Sequence, residues 1–361
     1  MKKVLVVDDS ALMRKLLMGV LVDAGYDVRS ARNGADGVDM VVEWEPDVVT
    51  LDINMPEMDG LTALSLIMTA RPTPVVMVSS LTEKGALATF EALALGAVDF
   101  IPKPGGTISL HVDDIKAMLL DKVRAASRAR LAKRPASMPA RPAPAAVTPS
   151  RHPAPAKVQP QSRTGVPSAS RVPGLVLIGV STGGPRTLED ILPRLPADFP
   201  WPILVAQHMP ANFTDTFSRR MDSLCALKVV EVAAGMPIAP GHVYIGRGGT
   251  DITVTSRASG LHVAPRPETP SVLWHPSVEV MVDSAMQHVT PKQLVGVMLT
   301  GMGNDGADAM ARLHGAGGRT IAESADTAVV FGMPSELIER RGATLVLPST
   351  AVAGQLRLWL Q

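Results

Sequence analysis

The chain has 361 residues, which is enough for two or three domains of ordinary size. Hydrophobic residues make up 46% and charged residues 19%, and the formal net charge is +1, so the chain is not basic throughout. The single cysteine, Cys225, excludes an internal disulfide and favours a reducing compartment. The first apolar run, Val4–Val7, is too short for a signal peptide or a membrane span. We therefore expect a cytoplasmic protein that does not insert into the membrane.

The first 123 residues alternate short apolar runs with segments of helical spacing. Four runs are predicted to be buried parallel strands: Val4–Val7, Val48–Leu51, Val75–Val78 and Ala97–Ile101. Two segments between them, Leu12–Val22 and Leu61–Met68, have the apolar spacing of helices. Repeated strand–helix units with short connections predict a parallel sheet with helices on both faces, and hence a first domain over 1–123.

Residues 124–173 differ sharply in composition from the rest of the chain. They contain ten prolines, ten lysines or arginines and neither Asp nor Glu. Such a segment has little to bury, so it predicts a flexible linker between two folded domains. A nucleic-acid-binding arm is the alternative, but the segment lacks the interleaved aromatic residues that such arms use. We therefore expect no nucleic-acid partner.

Residues 174–361 are predicted to form a second doubly wound parallel-sheet domain. The strand candidates are Leu175–Val180, Ile203–Ala206, Leu294–Thr300 and Thr320–Ala322, and the helix candidates are Ala307–Leu313 and Glu336–Arg340. The alternating run between Asp251 and Pro265 turns at Ala258-Ser259-Gly260 and predicts an inserted hairpin. This part of the chain lacks a basic helix-turn-helix pattern, which argues against a DNA-binding function.

In the first domain, polar and charged residues follow the predicted strands at the end where ligands bind in parallel sheets. They are Asp8, Asp9, Asp52, Ser79 and Lys103. Three carboxylates at one edge repel one another unless a hard cation lies between them, and oxygen ligands suit Mg²⁺. A metal-bound Asp52 could then attack a phosphoryl donor, while the lysine and the hydroxyl stabilise the phosphoryl oxygens.

These residues resemble the receiver domains of bacterial two-component response regulators, which have a flavodoxin-like fold. The matching motifs are VLVVDDS at Val4–Ser10, LDINMPEMDG at Leu51–Gly60, VMVSS at Val76–Ser80 and DFIPKP at Asp99–Pro104. The resemblance implies that Asp52 accepts phosphate from a histidine kinase, with Mg²⁺ held by Asp8, Asp9, Asp52 and the carbonyl of Asn54. It also implies that Phe100 is a switch aromatic and that the Lys103–Pro104 bond is cis.

The second domain opens with a strand that runs into Gly179-Val180-Ser181-Thr182-Gly183, which fits the G-x-S-x-G turn of serine hydrolases. A nucleophilic serine needs a base and a group that orients that base. The best candidates are His208, at the end of the next strand, and Asp305, in a glycine-rich loop. The chain order Ser, His, Asp differs from that of the α/β-hydrolases, which is Ser, Asp, His.

The loop around Asp305 has a rival interpretation. Gly301–Gly306 reads G-x-G-x-x-G after a strand and before a helix, with Glu323 seventeen residues further on, as in dinucleotide-binding folds. However, the carboxylate of Asp305 would repel a pyrophosphate, and the unit comes late in its domain. The hydrolase interpretation is therefore preferred.

The second domain also resembles the catalytic domain of the CheB family of chemotaxis protein-glutamate methylesterases, which is Rossmann-like. The matching motifs are GVSTGGP, AQHMP, LTGMGNDG and VVFGMP at Val329–Pro334. The resemblance implies that Ser181 is the nucleophile, His208 the general base and Asp305 its orienter, and that the N–H of Met302 donates to the oxyanion. The implied substrates are γ-methyl esters of glutamate on chemoreceptor cytoplasmic helices. The resemblance also implies that receptor glutamines are deamidated by the same route, and that the esterase needs no cofactor.

One stretch departs from the family pattern, because Ser271–His275 stands where the family commonly has an arginine-rich run. The departure puts receptor docking in doubt but not the chemistry. It leaves two alternatives: a phospho-dependent receptor-binding adaptor with little turnover, or a related enzyme of a chemosensory pathway that does not control swimming. The resemblance further implies that the unphosphorylated receiver packs over the active site and that phosphorylation of Asp52 repositions Ser79 and Phe100 and loosens that packing.

Overall fold

In the computed structural model, which describes residues 1–80, 82–103, 112–131 and 173–360, the first domain is a parallel sheet with helices on both faces. Its strands are β1 (Lys3–Val7), β2 (Asp27–Ala31), β3 (Val48–Asp52), β4 (Val75–Ser79) and β5 (Asp99–Pro102), in the order β2-β1-β3-β4-β5. Its helices are α1 (Ala11–Asp23), α2 (Gly34–Trp44), α3 (Gly60–Ala70), α4 (Glu83–Leu95) and α5 (Val112–Ala126). Every strand pair is parallel.

The second domain has a seven-stranded parallel sheet. Its elements in chain order are β6 (Leu175–Val180), α6 (Gly184–Ile191), β7 (Ile203–Gln207), α7 (Ala211–Leu224), β8 (Lys228–Val232), β9 (Met236–Pro237), β10 (His242–Gly246), β11 (Thr250–Arg257), β12 (Gly260–Pro267), α8 (Val278–His288), β13 (Leu294–Met298), α9 (Ala307–Gly315), β14 (Arg319–Glu323), α10 (Met333–Glu339), β15 (Leu345–Leu347) and α11 (Ser349–Leu360). The order is β15-β14-β13-β6-β7-β10-β8, and β11, β12 and β9 form a separate antiparallel sheet.

The predicted fold class, two doubly wound parallel-sheet domains, is confirmed, as is the inserted hairpin, which is β11 and β12. Its two strands are joined at Ala258 and Ser259, and Gly260 adopts a positive φ of 112° there. One predicted strand is too long, because β13 ends at Met298 rather than at Thr300. Helix α5 continues to Ala126, past residue 123. Residues 132–172 of the predicted linker, and Pro104 with its predicted cis bond, lie outside the described residues.

Buried central strands bring the functional loops together. Strands β6, β7 and β13 are adjacent in the sheet, and every one of their residues is buried, as their continuous apolar sequences require. Because all three run in the same direction, the loops that follow Val180, Gln207 and Met298 meet at one edge. In this sheet the strand order reverses around β6, which is where doubly wound folds place their ligand sites.

The two domains pack against each other through an aromatic cluster. Phe90 on α4 lies 5.4 Å from Phe217 and 6.5 Å from Phe213, both on α7, measured between ring centroids. Beyond α5, the backbone N–H of Arg130 donates to the carbonyl of Val329 in the second domain at 3.1 Å. All three phenylalanines are almost fully buried, so the two domains share one apolar core.

None of the helices in the described ranges is both long and apolar enough to cross a bilayer.

Candidate phosphorylation site and candidate active site

The receiver carboxylates predicted to hold Mg²⁺ lie together. Asp8 and Asp9 follow β1 and Asp52 ends β3, and oxygens from all three lie within 4.8 Å of one another. The Nζ atom of Lys103 lies 2.7 Å from Oδ2 of Asp52 and 3.1 Å from Oδ2 of Asp8. The N–H of Asn54 donates to Oδ1 of Asp52 at 3.3 Å. Four of the predicted residues, and Asn54 through its backbone, therefore meet at one edge of the sheet.

The chemistry of this cluster fits a divalent cation. Oδ2 of Asp8 is buried and accepts no hydrogen bond among the described residues, although Lys103 makes an ion pair with it. Burial raises the pKa of Asp52, and repulsion from Asp8 adds to this, whereas Lys103 opposes it. One ammonium thus faces two buried carboxylates, and a cation bound to their free oxygens would complete the neutralisation.

The side chains of the predicted switch residues Ser79 and Phe100 contact α4 and the second domain. The hydroxyl of Ser79 donates to the carbonyl of Gly85 at 3.1 Å and accepts from Thr89 Oγ1 at 2.8 Å, so it is bonded to α4. Phe100 is 4% exposed, and its ring centroid lies 4.4 Å from that of Phe213 in the catalytic domain. Ser79 therefore contacts α4, which packs against α7, and Phe100 contacts α7 directly.

In the catalytic domain, Ser181 stands on a tight turn between β6 and α6. Its N–H donates to the carbonyl of Thr300 at 2.9 Å, and its own carbonyl accepts from Gly184 N–H at 2.8 Å. Gly183 has a φ of 79°, and a Cβ there would lie only 2.6 Å from Val329. A side chain at this position would therefore be both strained and too close to its neighbour. The glycine lets the backbone turn sharply and leaves Ser181 at the edge of the sheet.

His208 and Asp305 are joined by a hydrogen bond. Nε2 of His208 lies 2.8 Å from Oδ2 of Asp305, and the two side chains are 9% and 3% exposed. Because the Nε2 nitrogen faces the carboxylate, Nδ1 is the nitrogen left for the serine. The serine proteases of the chymotrypsin type use the two nitrogens the other way round. Ser181 lines the same cavity, and within the described residues no hydrogen bond joins it to His208.

Asp305 also accepts hydrogen bonds from the start of α8. The hydroxyl of Ser277 donates to Oδ1 at 2.9 Å, and the N–H groups of Val278 and Glu279 donate at 2.6 and 3.1 Å. Burial alone would raise the pKa of Asp305, but the hydrogen bond and charge of His208, with those two N–H groups, hold it below its ordinary value. The carboxylate is thus kept ionised and fixed in direction.

Met302 lies on the turn after β13. Gly301 N–H donates to the carbonyl of Val330 at 3.0 Å, and the hydroxyl of Thr300 donates to the carbonyl of Thr182 at 2.8 Å. These bonds tie the turn to the loop that carries Ser181. Within residues 173–360, no acceptor takes the N–H of Met302, so this donor remains for a ligand in the cavity.

A cavity of about 350 Å³ lies between the receiver and these residues. Its catalytic-domain wall includes Ser181, His208 and Met302, and its receiver wall includes Phe100 and Lys122. An α-helix is 10–12 Å across with its side chains, so two turns occupy well over twice this volume. The space between the domains admits a side chain but not a helix.

Sequence reasoning did not assign roles to Ser277, which holds Asp305, or to Trp274, which lines the cavity. The sequence Pro276-Ser277 before an apolar stretch is a helix-start signal and could have placed Ser277 at the N-cap of α8. No comparable signal exists for Trp274, because it lies in an irregular segment.

Comparison with known proteins agrees with the two-domain arrangement. Residues 4–113 match the response regulator receiver domain, and residues 176–356 match the CheB methylesterase family. A protein of Rhodospirillum rubrum named protein-glutamate methylesterase/protein-glutamine glutaminase 3 is 53% identical, over all of this chain and 96% of its own length. A Rhodopseudomonas palustris relative, named protein-glutamate methylesterase/protein-glutamine glutaminase 2, is 50% identical over 99% of this chain and 98% of its own.

A solved structure is similar to the second half alone. The catalytic domain of the CheB methylesterase of Thermotoga maritima is 37% identical, with a TM-score of 0.50, and the match covers 52% of this chain and 98% of that one. The second domain shares the doubly wound fold of that catalytic domain. The chain belongs to the CheB methylesterase family, with a response regulator receiver domain in front of the catalytic domain.

Proposed function

We propose that Ser181, His208 and Asp305 carry the protein-glutamate methylesterase and protein-glutamine glutaminase activity of this chain. The observation that carries the proposal is the 2.8 Å contact between His208 and Asp305 in the cavity that Ser181 lines. In the first step, Oγ of Ser181 bonds to the ester carbon as its proton passes to Nδ1 of His208. Asp305 stabilises the imidazolium through Nε2.

The remaining steps return the proton and free the serine. The carbonyl electrons move to the oxygen, which accepts a hydrogen bond from Met302 N–H, a donor of a kind whose loss costs ~10²–10³ in kcat. His208 then gives its proton to the methoxy oxygen, the C–O bond breaks and methanol leaves. Water, deprotonated by His208, attacks the acyl carbon. The bond between that carbon and Oγ of Ser181 breaks, His208 gives the proton to Oγ, and glutamate is released. With a glutamine side chain, the same steps release ammonia.

The receiver controls access in this proposal. Asp52 attacks the phosphorus of a phosphohistidine on a kinase, and the bond between phosphorus and nitrogen breaks. Asp8, Asp9, Asp52 and the carbonyl of Asn54 would hold Mg²⁺, which supplies neutralising charge to the phosphoryl oxygens. The new negative charge beside Lys103 favours a changed position of the β4 and β5 ends. This loosens the contacts of Ser79 and Phe100.

The substrate is proposed to be a cytoplasmic helix of a chemoreceptor, and the protein is proposed to act in the cytoplasm. The receiver wall of the cavity supports the proposed control of access, because it leaves too little room for such a helix until the domains separate. The receptor-binding adaptor without turnover is the weaker candidate, since the irregular stretch Ser271–His275 brings Trp274 against His208 and leaves the contact between His208 and Asp305 intact.

Methanol release from methylated receptor membranes tests the proposal. We expect Ser181→Ala to lose all measurable turnover, whereas Ser218→Ala, a buried hydroxyl that bonds only within α7, keeps it. Acetyl phosphate should stimulate the wild-type chain and Asp36→Asn, which alters an exposed receiver carboxylate, but not Asp52→Asn. Turnover by Ser181→Ala would remove that serine from the mechanism, and stimulation of Asp52→Asn would remove the proposed phosphorylation site.

A further inference from the structure

The rings of Trp274 and His208 are stacked, with centroids 5.7 Å apart and planes only 2° from parallel. We propose that Trp274 is a positioning residue, which keeps the imidazole of His208 in its reactive plane and stabilises the imidazolium that forms when the proton of Ser181 is taken. This inference rests on the proposed role of His208 as the base.

The indole lies between the base and the turn predicted to bind the oxyanion. A Cβ built on Gly303, the residue after Met302, would stand 3.0 Å from Cζ2 of Trp274. Gly303 also has a φ of 88°, so glycine suits the position on two grounds. One flat side chain therefore contacts both His208 and the main chain beside the N–H of Met302.

Two buried carboxylates fix the segment that carries the indole. Nδ1 of His275 lies 2.9 Å from Oδ1 of Asp251, and the same oxygen accepts the N–H of Ser277 at 3.0 Å. Asp251 is fully buried. The hydroxyl of Ser277 then donates to Asp305, which itself holds His208. A series of hydrogen bonds thus connects His208 through Asp305 to Ser277, which lies three residues after Trp274. These bonds fix the imidazole and the segment that carries the indole relative to each other.

The chemistry gives this contact a function beyond packing. His208 becomes a cation once in acylation and once in deacylation, and its side chain is only 9% exposed, so water screens this charge weakly. The face of an indole carries negative electrostatic potential and attracts a cation within about 6 Å of the ring centroid, which includes the 5.7 Å measured here. The neutral indole also blocks rotation of the imidazole without competing for its protons.

Kinetics of the phosphodonor-activated full chain on methylated receptor membranes test the inference. We expect Trp274→Leu to lower kcat about 3- to 30-fold with KM little changed, because the lost interaction forms with the cation and not with the substrate. Trp274→Phe, which keeps an aromatic face, should recover part of the loss. Trp359→Leu is the matched control. It removes an indole on α11, outside the cavity, whose ring centroid lies 5.1 Å from the guanidinium carbon of Arg319.

The result that would overturn this inference differs from the result that would remove the proposed function. A wild-type kcat in Trp274→Leu, or a change in KM alone, would make Trp274 a substrate contact or a structural residue and overturn the inference. Turnover in Ser181→Ala and His208→Gln would instead remove the proposed function.

If Trp274→Leu does not fold, the wild-type chain gives the decisive measurement. The ring protons of His208, identified by their loss in His208→Gln, should lie upfield of those of histidines that have no ring stacked on them, because of the indole. His242, which stacks on Tyr244, is left out of this comparison. Resonances at ordinary positions would overturn the inference.

Discussion

Phe100 and Phe213 face each other across the domain boundary, with ring centroids 4.4 Å apart. Phe100 ends up beside the catalytic domain because β5 is the edge strand of the receiver sheet. Phe213 lies in the first turn of α7, which begins three residues after His208. The predicted switch residue of the receiver therefore packs on the helix that directly follows the predicted base.

Removing an aromatic ring from this interface should weaken the closed arrangement. Phe90 is 1% exposed and contacts Phe213 and Phe217, and truncation of such a side chain typically costs about 3–5 kcal/mol. We expect Phe90→Ala to raise methanol release without a phosphodonor and to reduce the factor by which acetyl phosphate stimulates it. Leu87→Ala on the exposed face of the same helix serves as the control. Unchanged basal activity in Phe90→Ala would contradict a closed resting state held by this cluster.

Removal of divalent cations should separate the two activities of the chain. With EDTA in excess, we expect stimulation by acetyl phosphate to disappear, because Asp8, Asp9 and Asp52 would hold the ion needed for phosphoryl transfer. Basal methanol release should persist, since none of the three carboxylates lines the catalytic cavity. Asp52→Asn should show no response to either addition. Stimulation that persists in EDTA, and does not increase when Mg²⁺ is added back, would argue against the proposed metal site.

Asp305→Asn should impair catalysis and alter acid stability together. The amide can present its nitrogen to His208 and favour the wrong tautomer, so kcat should fall about 10³- to 10⁴-fold. The folded-state pKa of Asp305 is depressed, so its contribution to stability is complete above the ordinary value of 3.8 and is lost as the pH falls through the folded value.

The variant should therefore be less stable at pH 7, by about 1–3 kcal/mol, and should lose less on acidification. Thermal unfolding at pH 7, 5 and 3 measures both effects. Asp308→Asn, an exposed carboxylate on α9, provides the comparison. An equal loss of stability on acidification in wild type and Asp305→Asn would contradict the assignment of this ionised, buried carboxylate.

The one thiol should be unreactive in the folded chain. Burial raises the pKa of Cys225 from 9.0 to about 12, and the nearby carboxylates Asp222 and Glu189 add to the effect. At pH 8 the thiolate fraction falls about 10³-fold relative to an ordinary cysteine, and the thiolate is the species that attacks disulfide reagents. Reaction with Ellman's reagent should therefore be slow until guanidinium unfolds the chain. Rapid reaction of the native protein would show that this side chain is not shielded.

The sequence predicted the central strands because burial on both faces leaves a continuous apolar run, as in Leu175–Val180 and Val75–Ser79. It did not predict edge strands such as β2, whose sequence Asp-Val-Arg-Ser-Ala is half exposed and carries no such run. The hairpin β11–β12 was predictable because its turn residues interrupt an alternating pattern. The rule has exceptions in both directions. The edge strand β5 was predicted, as Ala97–Ile101, because most of its residues are buried, and the interior strand β10 was missed.

The candidate site was also predictable only in part. Ser181, His208 and Asp305 each follow a buried strand, so strand order and motif sufficed to propose that they meet. The stack of Trp274 on His208 joins residues 66 positions apart, and one of them stands in an irregular segment whose course is set by Asp251. Tertiary contacts of this kind have no local signature, which is why only the structure reveals them.

The carboxylate of Asp305 both binds the imidazole and accepts the first N–H groups of α8. A nascent polypeptide that ends before Asp305 already contains the hydroxyl of Ser181 and the imidazole of His208. It lacks the carboxylate that binds the imidazole and accepts the first N–H groups of α8. Under the proposed role of Asp305, hydrolytic competence is delayed until about five-sixths of the chain has been synthesised, by which time the domain proposed to restrain it has emerged. Incomplete translation products would accordingly be inert toward receptors, with no separate safeguard required.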